Sequence, residues 1–197
     1  MSLEDAAAPA VPLREDAAVA AVHLSEDAAR FAVRPLEMGD VTATAEFLNV
    51  CWRAAYEGIL DSGFLSRMTT KTRADILQHR LSGKMRGLLA LDSDETLLGL
   101  VLFGPTHLYI LKDAGEISAI YVAPDQIGTG LGHRLLLLAE AELRLDGHPN
   151  VELDVFRANA RAIRFYRAHG YTKVGTKTDH IEDHTYELDI MAKRLPA

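Results

Sequence analysis

Apolar positions change their period along this chain, and the changes divide it into elements. "FAVRPL", from Phe31, predicts a short strand closed by Pro35, whose ring removes a ladder donor. In "GDVTATAEFLNVCWRAAYEGIL" apolar residues recur three and four apart after Asp40, which predicts a helix ending by Gly58. "SRMTTKTRADILQHRLSG" predicts a second helix, and "MRGLLALDSDETLLGLVLFGP" sets two apolar runs around the polar turn Asp92 to Glu95, a hairpin signal. "GEISAIYVAP" predicts a strand stopped by Pro124, with a leucine-rich helix after it. "VELDVF" alternates as a strand, "NARAIRFYRAHG" is a helix with Gly170 at its C-terminus, and "YTKVGTK" and "TYELDIMAKRL" close the chain as strands. The order β, α, α, β, β, β, α, β, α, β, β predicts an α/β (α+β) fold, with a mixed, mostly antiparallel sheet of about seven strands flanked by helices.

The segment before Phe31 is different. "EDAA" recurs at Glu4, Glu15 and Glu26 in an alanine-rich stretch interrupted by Pro9 and Pro12. An 11-residue period suits a helical supercoil, but three copies with prolines in the first fit a flexible or partly helical extension over residues 1–30. That segment holds six acids against Arg14 and Arg30, so the formal charge of -7 is largely local and the body, residues 31–197, is only mildly acidic. A chain without a basic stripe is not expected to bind nucleic acid. The longest apolar run, Leu135 to Ala139, is far short of a membrane span, and no basic leader precedes it. The expectation is a cytoplasmic protein with no membrane partner. Cys51 is the single cysteine, which excludes an internal disulfide; set in "FLNVCWRAAY", it reads as a buried packing thiol.

Candidate chemistry centres on "APDQIGTGLGHRLLLLAEAEL", where Gly128, Gly130 and Gly132 stand just before the leucine run. A phosphate-binding loop would need Lys and Ser or Thr after its last glycine, and His133 and Arg134 stand there instead. A dinucleotide fingerprint would need glycine where His133 lies. What survives is the physics both share: a strand end, a turn with bare amides, and a helix N-terminus that favours an anion such as pyrophosphate. In the helix, Leu131, Leu135, Leu138 and Ala139 fall on one side, with His133, Glu140 and Arg144 on an opposite, wet face. In "NARAIRFYRAHG", Asn159, Ala162, Ile163 and Tyr166 share a stripe, and Arg161, Arg164 and Ala168 lie on the other side. Asn159 and Tyr166 are then about 10 Å apart along one groove. By themselves they also read as a helix cap and a core aromatic.

"YVAPDQIGTGLGHRLL" resembles the acyl-CoA signature of the Gcn5-related N-acetyltransferases, and "NARAIRFYRAHGY" is similar to that family's second signature. The resemblance spans Phe31 to Leu195. Ile127 stands where the family usually has Arg or Gln, with Gln126 one residue earlier. The resemblance implies acetyl-CoA as co-substrate, held by Ile120, Tyr121 and Val122, by Gln126, Ile127, Gly128, Thr129, Gly130, Leu131, Gly132 and His133, and by Asn159 at the pantetheine arm. It also implies that Tyr166 protonates the departing thiolate, and that Trp52, Tyr56 and Glu57 shape the acceptor pocket.

An acceptor amine must lose a proton before it attacks, which calls for a base. Glu116 in "EISAIYV" is a candidate, directly or through water, and a solvated strand-end charge is the other reading. His180 and His184 have helical spacing, but "TDHIEDHTYELDI" reads as a turn leading into a strand, so no metal is expected. The segment from Asn159 to Leu195 is similar to bacterial Pai-type spermidine/spermine acetyltransferases, which points to a small-molecule amine, a polyamine among them, or a peptide amine. A homodimer is compatible with the sequence. A catalytically silent acyl-CoA sensor and a nucleotide-binding interaction domain are rival readings.

Overall fold

The computed structural model describes residues 31–196, so the extension expected over residues 1–30 lies outside the described residues. The elements are β1 (Ala32–Pro35), α1 (Val41–Tyr56), α2 (Ser62–Arg67), α3 (Thr70–Ser82), β2 (Arg86–Leu91), β3 (Leu97–Pro105), β4 (Ala114–Val122), α4 (Leu131–Leu145), β5 (Asn150–Phe156), α5 (Ala160–Ala168), β6 (Thr172–Ile181) and β7 (His184–Arg194), with short 3-10 turns at Met38–Asp40 and Pro124–Gln126. One seven-stranded sheet runs β1-β2-β3-β4-β5-β7-β6. All its neighbours are antiparallel except β4 and β5, which are parallel. This is the predicted α/β class.

Two elements differ from the sequence reading. The second helix, expected from Ser66, starts at Thr70, where Thr69 Oγ1 accepts from Thr72 N at 3.1 Å; Ser66 and Arg67 instead end an unexpected short helix α2, capped by Asp61 Oδ1 accepting from Phe64 N at 2.8 Å. Met68 between them is extended. Strand β6 runs four residues past Lys177, to Ile181, and pairs Ile181 with His184 across a turn in which Glu182 has φ 52°. His180 and His184 therefore flank a hairpin turn and have no helical i, i+4 geometry. Among the described residues no group of three or more His, Cys, Asp or Glu is arranged to hold a metal, and no helix is long and apolar enough to cross a membrane.

The apolar runs of β2 and β3 are continuous because both faces of the sheet are covered. Along β3, Leu100 and Leu102 pack with Leu48 of α1 and Leu77 of α3, while Val101 and Phe103 pack with Leu135 and Leu143 of α4. Helix α4 is more enclosed than its pattern predicts. Glu140, expected to be wet, is buried, and its carboxylate accepts from Lys193 Nζ at 2.7 Å and from the Tyr171 hydroxyl at 2.9 Å. Glu142 is also buried and pairs with Arg86 at 2.7 Å. The hydrophobic positions alone do not reveal that partners from β2 and β7 cover this face.

The sheet is interrupted at one point. Parallel pairing of β4 with β5 covers Ala114↔Asn150, Gly115↔Val151 and Glu116↔Glu152, and then stops. Against β3, Phe103 pairs with Ile117 and Leu102 with Ala119, so Ser118 is an inserted residue that bulges the strand. Ile117 packs on the α4 side and Ala119, two residues on, packs on the α1 side. The bulge thus re-phases β4, turning Tyr121 toward α1 and sending Ile120 and Val122 toward α4. Beyond it the edge of β4 that faces β5 has no strand partner among the described residues.

Glu140→Ala would strand the Lys193 ammonium and the Tyr171 hydroxyl in this buried region. Urea unfolding of the variant is expected to give a loss of about 3 kcal/mol, the usual consequence of removing one member of a buried ion pair. A loss below about 0.5 kcal/mol, ordinary for a surface substitution, would contradict the assignment.

Candidate active site

A cleft of about 890 Å³ passes through the gap between β4 and β5. It runs from the glycine turn ahead of α4 to Trp52, Tyr56 and Phe64 beneath α1 and α2.

At the first end, Gly128 and Gly130 have φ 88° and 89°, a left-handed region that other residues enter only with strain. They fold the chain back so that α4 starts at Leu131, with Arg134 N donating to Gly130 O at 3.1 Å as its first helical bond. The amides of Leu131, Gly132 and His133 come before that bond and have no acceptor within the helix. Gly132 differs from the other two. Its φ is ordinary, and a Cβ there would lie 3.8 Å from Phe165 and Val122, so the protein alone does not require glycine at this position. Bare backbone at Gly132 keeps the cleft open where the amides converge. This cradle fits a pyrophosphate.

Most of the residues singled out in this stretch line the cleft: Ile120, Tyr121, Val122, Gln126, Ile127, Gly128, Gly130, Gly132 and His133. Two side chains do not. Thr129 points away and donates its hydroxyl to Gln126 O at 2.8 Å, and Leu131 is fully buried in the core, so each has only its main chain to offer. Burial, reinforced by His169 alongside, holds His133 below the ordinary histidine value.

At the middle of the cleft the Tyr166 ring is wedged between Phe165 and Tyr171, with centroids at 5.3 and 5.7 Å. Its hydroxyl makes no hydrogen bond with any described residue. Burial, with Tyr56 and Asp154 nearby, raises its pKa far above that of an ordinary tyrosine, so it carries its proton at neutral pH. Asn159 combines both of its predicted readings. Its Oδ1 caps α5 by accepting from Ala162 N at 3.1 Å, and the residue lines the cleft with Nδ2 uncommitted. Arg161, expected on the far side of α5, also reaches the cleft.

On the α1 side, Tyr56 and Tyr121 share a hydrogen bond of 2.9 Å, and burial raises both pKa values. Trp52 packs edge-on against Tyr56 at 5.0 Å. Glu57, read with Tyr56 as an acceptor-pocket residue, caps the end of α1, is exposed and does not line the cleft. The helix turns it outward one residue beyond Tyr56. Glu116 is the opposite of a solvated strand end: it is 2% exposed, and its Oε2 accepts from His107 N at 2.9 Å and lies 2.6 Å from His107 Nδ1. Oε1 has no hydrogen bond among the described residues, and the residue lines the cleft.

Several residues here escape a reading of the sequence. His107 comes from the loop after β3, Arg73 from the buried side of α3, Asp154 from β5 and Lys177 from β6, and Asp154 pairs with Lys177. Asp154 did leave a signal. In "VELDVF" the valines and leucine take the phase facing α4, so Glu152 and Asp154 face α1 in a sheet covered on both sides.

A model of the acetyltransferase (GNAT) family matches residues 46–171, and the chain belongs to that family. It is 26% identical over 161 residues to a spermidine N(1)-acetyltransferase of Thermoplasma acidophilum, covering 79% of this chain and 97% of the relative. Among solved structures it is similar to the PaiA N-acetyltransferase of Thermoplasma acidophilum in complex with coenzyme A, with TM-score 0.62, 22% identity, and 84% and 99% of the two chains covered. It is also similar to yncA of Salmonella typhimurium, a putative acetyltransferase with acetyl-CoA, with TM-score 0.63, 21% identity, and 85% and 95% covered.

Cys51 borders the cleft. It is buried, its Sγ lies 3.4 Å from Val122 O, and burial pushes its thiol up to about 12. Alkylation by iodoacetamide at pH 8 should be on the order of a thousandfold slower in the native protein than in urea, from the thiolate fraction alone. Equal rates in the two states would contradict the burial.

Proposed function

We propose that this protein transfers the acetyl group of acetyl-CoA directly to the primary amine of a small molecule. The carrying observation is buried Tyr166, whose hydroxyl has no hydrogen-bond partner among the described residues and lies at the middle of a cleft that begins at a phosphate-fitting cradle. When bound, acetyl-CoA supplies a thioester whose carbonyl carbon the free amine attacks, so that an N–C bond forms and the C–S bond breaks. The main-chain amides of Gly128 to His133 hold the pyrophosphate, and Asn159 Nδ2 donates to the pantetheine arm. The open edge of β4 at Ile120 to Val122 offers amides where negative charge grows on the carbonyl oxygen. Glu116 Oε1 takes the ammonium proton, directly or through one water, and His107 orients that carboxylate from its other oxygen. The attacking nitrogen sheds its second proton as the amide forms; Tyr166 gives its own proton to the leaving sulfur and is reprotonated through solvent, so that the thiol leaves and one proton is released overall. Trp52 and Tyr56 form the apolar wall of the acceptor pocket. The named substrate of the Thermoplasma relative, spermidine, supports a small amine as acceptor.

Tyr166→Phe should lower kcat by about 100-fold while the KM for acetyl-CoA stays within about twofold, because a proton donor acts in the transition state. Gly132→Val should do the reverse. Its side chain fills the cradle without straining the backbone, so the melting temperature without ligand is retained while the Kd for coenzyme A rises at least about tenfold, near 1.4 kcal/mol. Thermal stabilisation by acetyl-CoA with no thiol release from any amine would instead favour a silent acyl-CoA sensor.

A further inference from the structure

The charges in the cleft are unevenly paired. Each lining carboxylate has a partner among the described residues: Glu116 has His107, Asp154 has Lys177, and Asp179 lies 3.6 Å from the same Lys177. Two lining guanidinium groups on α3 have no carboxylate within 4.0 Å among the described residues. Arg73 is 6% exposed; its Nε donates to Asn49 Oδ1 at 3.1 Å, and its Nη2 is buried with no hydrogen-bond partner. The Trp52 ring covers one face of this guanidinium at 4.0 Å, a cation–π contact that does not occupy the in-plane Nη donors. Arg80, two turns further along the same side of α3, donates to the hydroxyl of Ser118 at 2.6 Å, the residue that bulges β4.

A buried cation without a counter-charge is costly, and an acceptor that brought an oxyanion would relieve it. A polyamine would bring further positive charge to a wall whose acids are already taken. We propose that the acceptor is a small primary amine that also carries a carboxylate or phosphate, and that Arg73, with Arg80 at the rim, holds that oxyanion while the amine faces the gap between β4 and β5. This deepens the acetyltransferase reading and rests on it. The fork geometry of a guanidinium suits either oxyanion, and two parallel N–H donors would fix the amine's direction as well as its position.

The test uses the unaltered chain with acetyl-CoA and follows thiol release. The acceptors are methionine, glutamate and 4-aminobutyrate, each beside its methyl ester, then O-phosphoethanolamine beside ethanolamine, and spermidine. At least one oxyanion-bearing amine should exceed both its uncharged counterpart and spermidine by tenfold or more in kcat/KM; which pair separates tells carboxylate from phosphate. Spermidine or the uncharged counterparts performing equally well or better would overturn the proposal. No thiol from any amine would overturn the acetyltransferase reading and this inference with it. For the preferred amine, Arg73→Met should raise KM at least tenfold without changing KM for acetyl-CoA, and Arg73→Lys should recover part of the loss. Arg80→Met, at an exposed position where folding is not at stake, should raise the same KM severalfold. Unchanged amine KM in Arg80→Met and in Arg73→Lys would also overturn the proposal.

Discussion

The parting of β4 from β5 after three residue pairs is the constraint on which the rest of this structure depends. A sheet gains by closing its ladders, and unpaired main-chain groups in an interior are expensive. Here the ladder stops at Glu116 and Glu152, and the bulge at Ser118 bends β4 away. The donors and acceptors left along β4 are then available to an extended ligand lying where a strand would lie. The same gap joins the two faces of the sheet, so that a cradle on the α4 side and a pocket on the α1 side open into one cleft.

Holding such a gap open requires support on both sides. On the α4 side, five leucines (Leu131, Leu135, Leu136, Leu138 and Leu143) anchor the helix whose first turn forms the cradle. The Glu140, Lys193 and Tyr171 contacts tie that helix to β7, across the gap from β4. On the α1 side, Cys51 reaches Val122 O and Tyr56 reaches Tyr121, so the free end of β4 is secured by the helix below it. The acids lining the cleft are each paired. Arg73 and Arg80 of α3, which have no carboxylate within 4.0 Å among the described residues, then bear on which amine the pocket accepts.

How much of this was legible in the sequence depended on whether the information was local. The glycine turn, the leucine helix, the cap at Asn159 and the seven strands follow from periodicity and punctuation within short windows, and all are present. Local reasoning failed where a second element intervenes. Asp61 and Thr69 cap two helices where a single one from Ser66 was expected, because a cap side chain sets a helix start that the polar pattern does not show. Glu140 looked wet on a helical wheel, and β7 buries it. Adjacent Tyr56 and Glu57 were equivalent as letters, and the end of α1 separates them into a cleft residue and a surface residue. His107, Arg73, Asp154 and Lys177 come from four elements that meet only when the sheet is assembled, so no single stretch could name them together.

Hydrogen exchange of the full chain, read by mass spectrometry with and without coenzyme A, tests the open strand edge and the glycine cradle together. Exchange should slow in two stretches on ligand addition, Ser118 to Val122 and Ile127 to His133, while β1 and β6 stay unchanged. Protection confined to other segments, or none at saturating coenzyme A, would contradict the account.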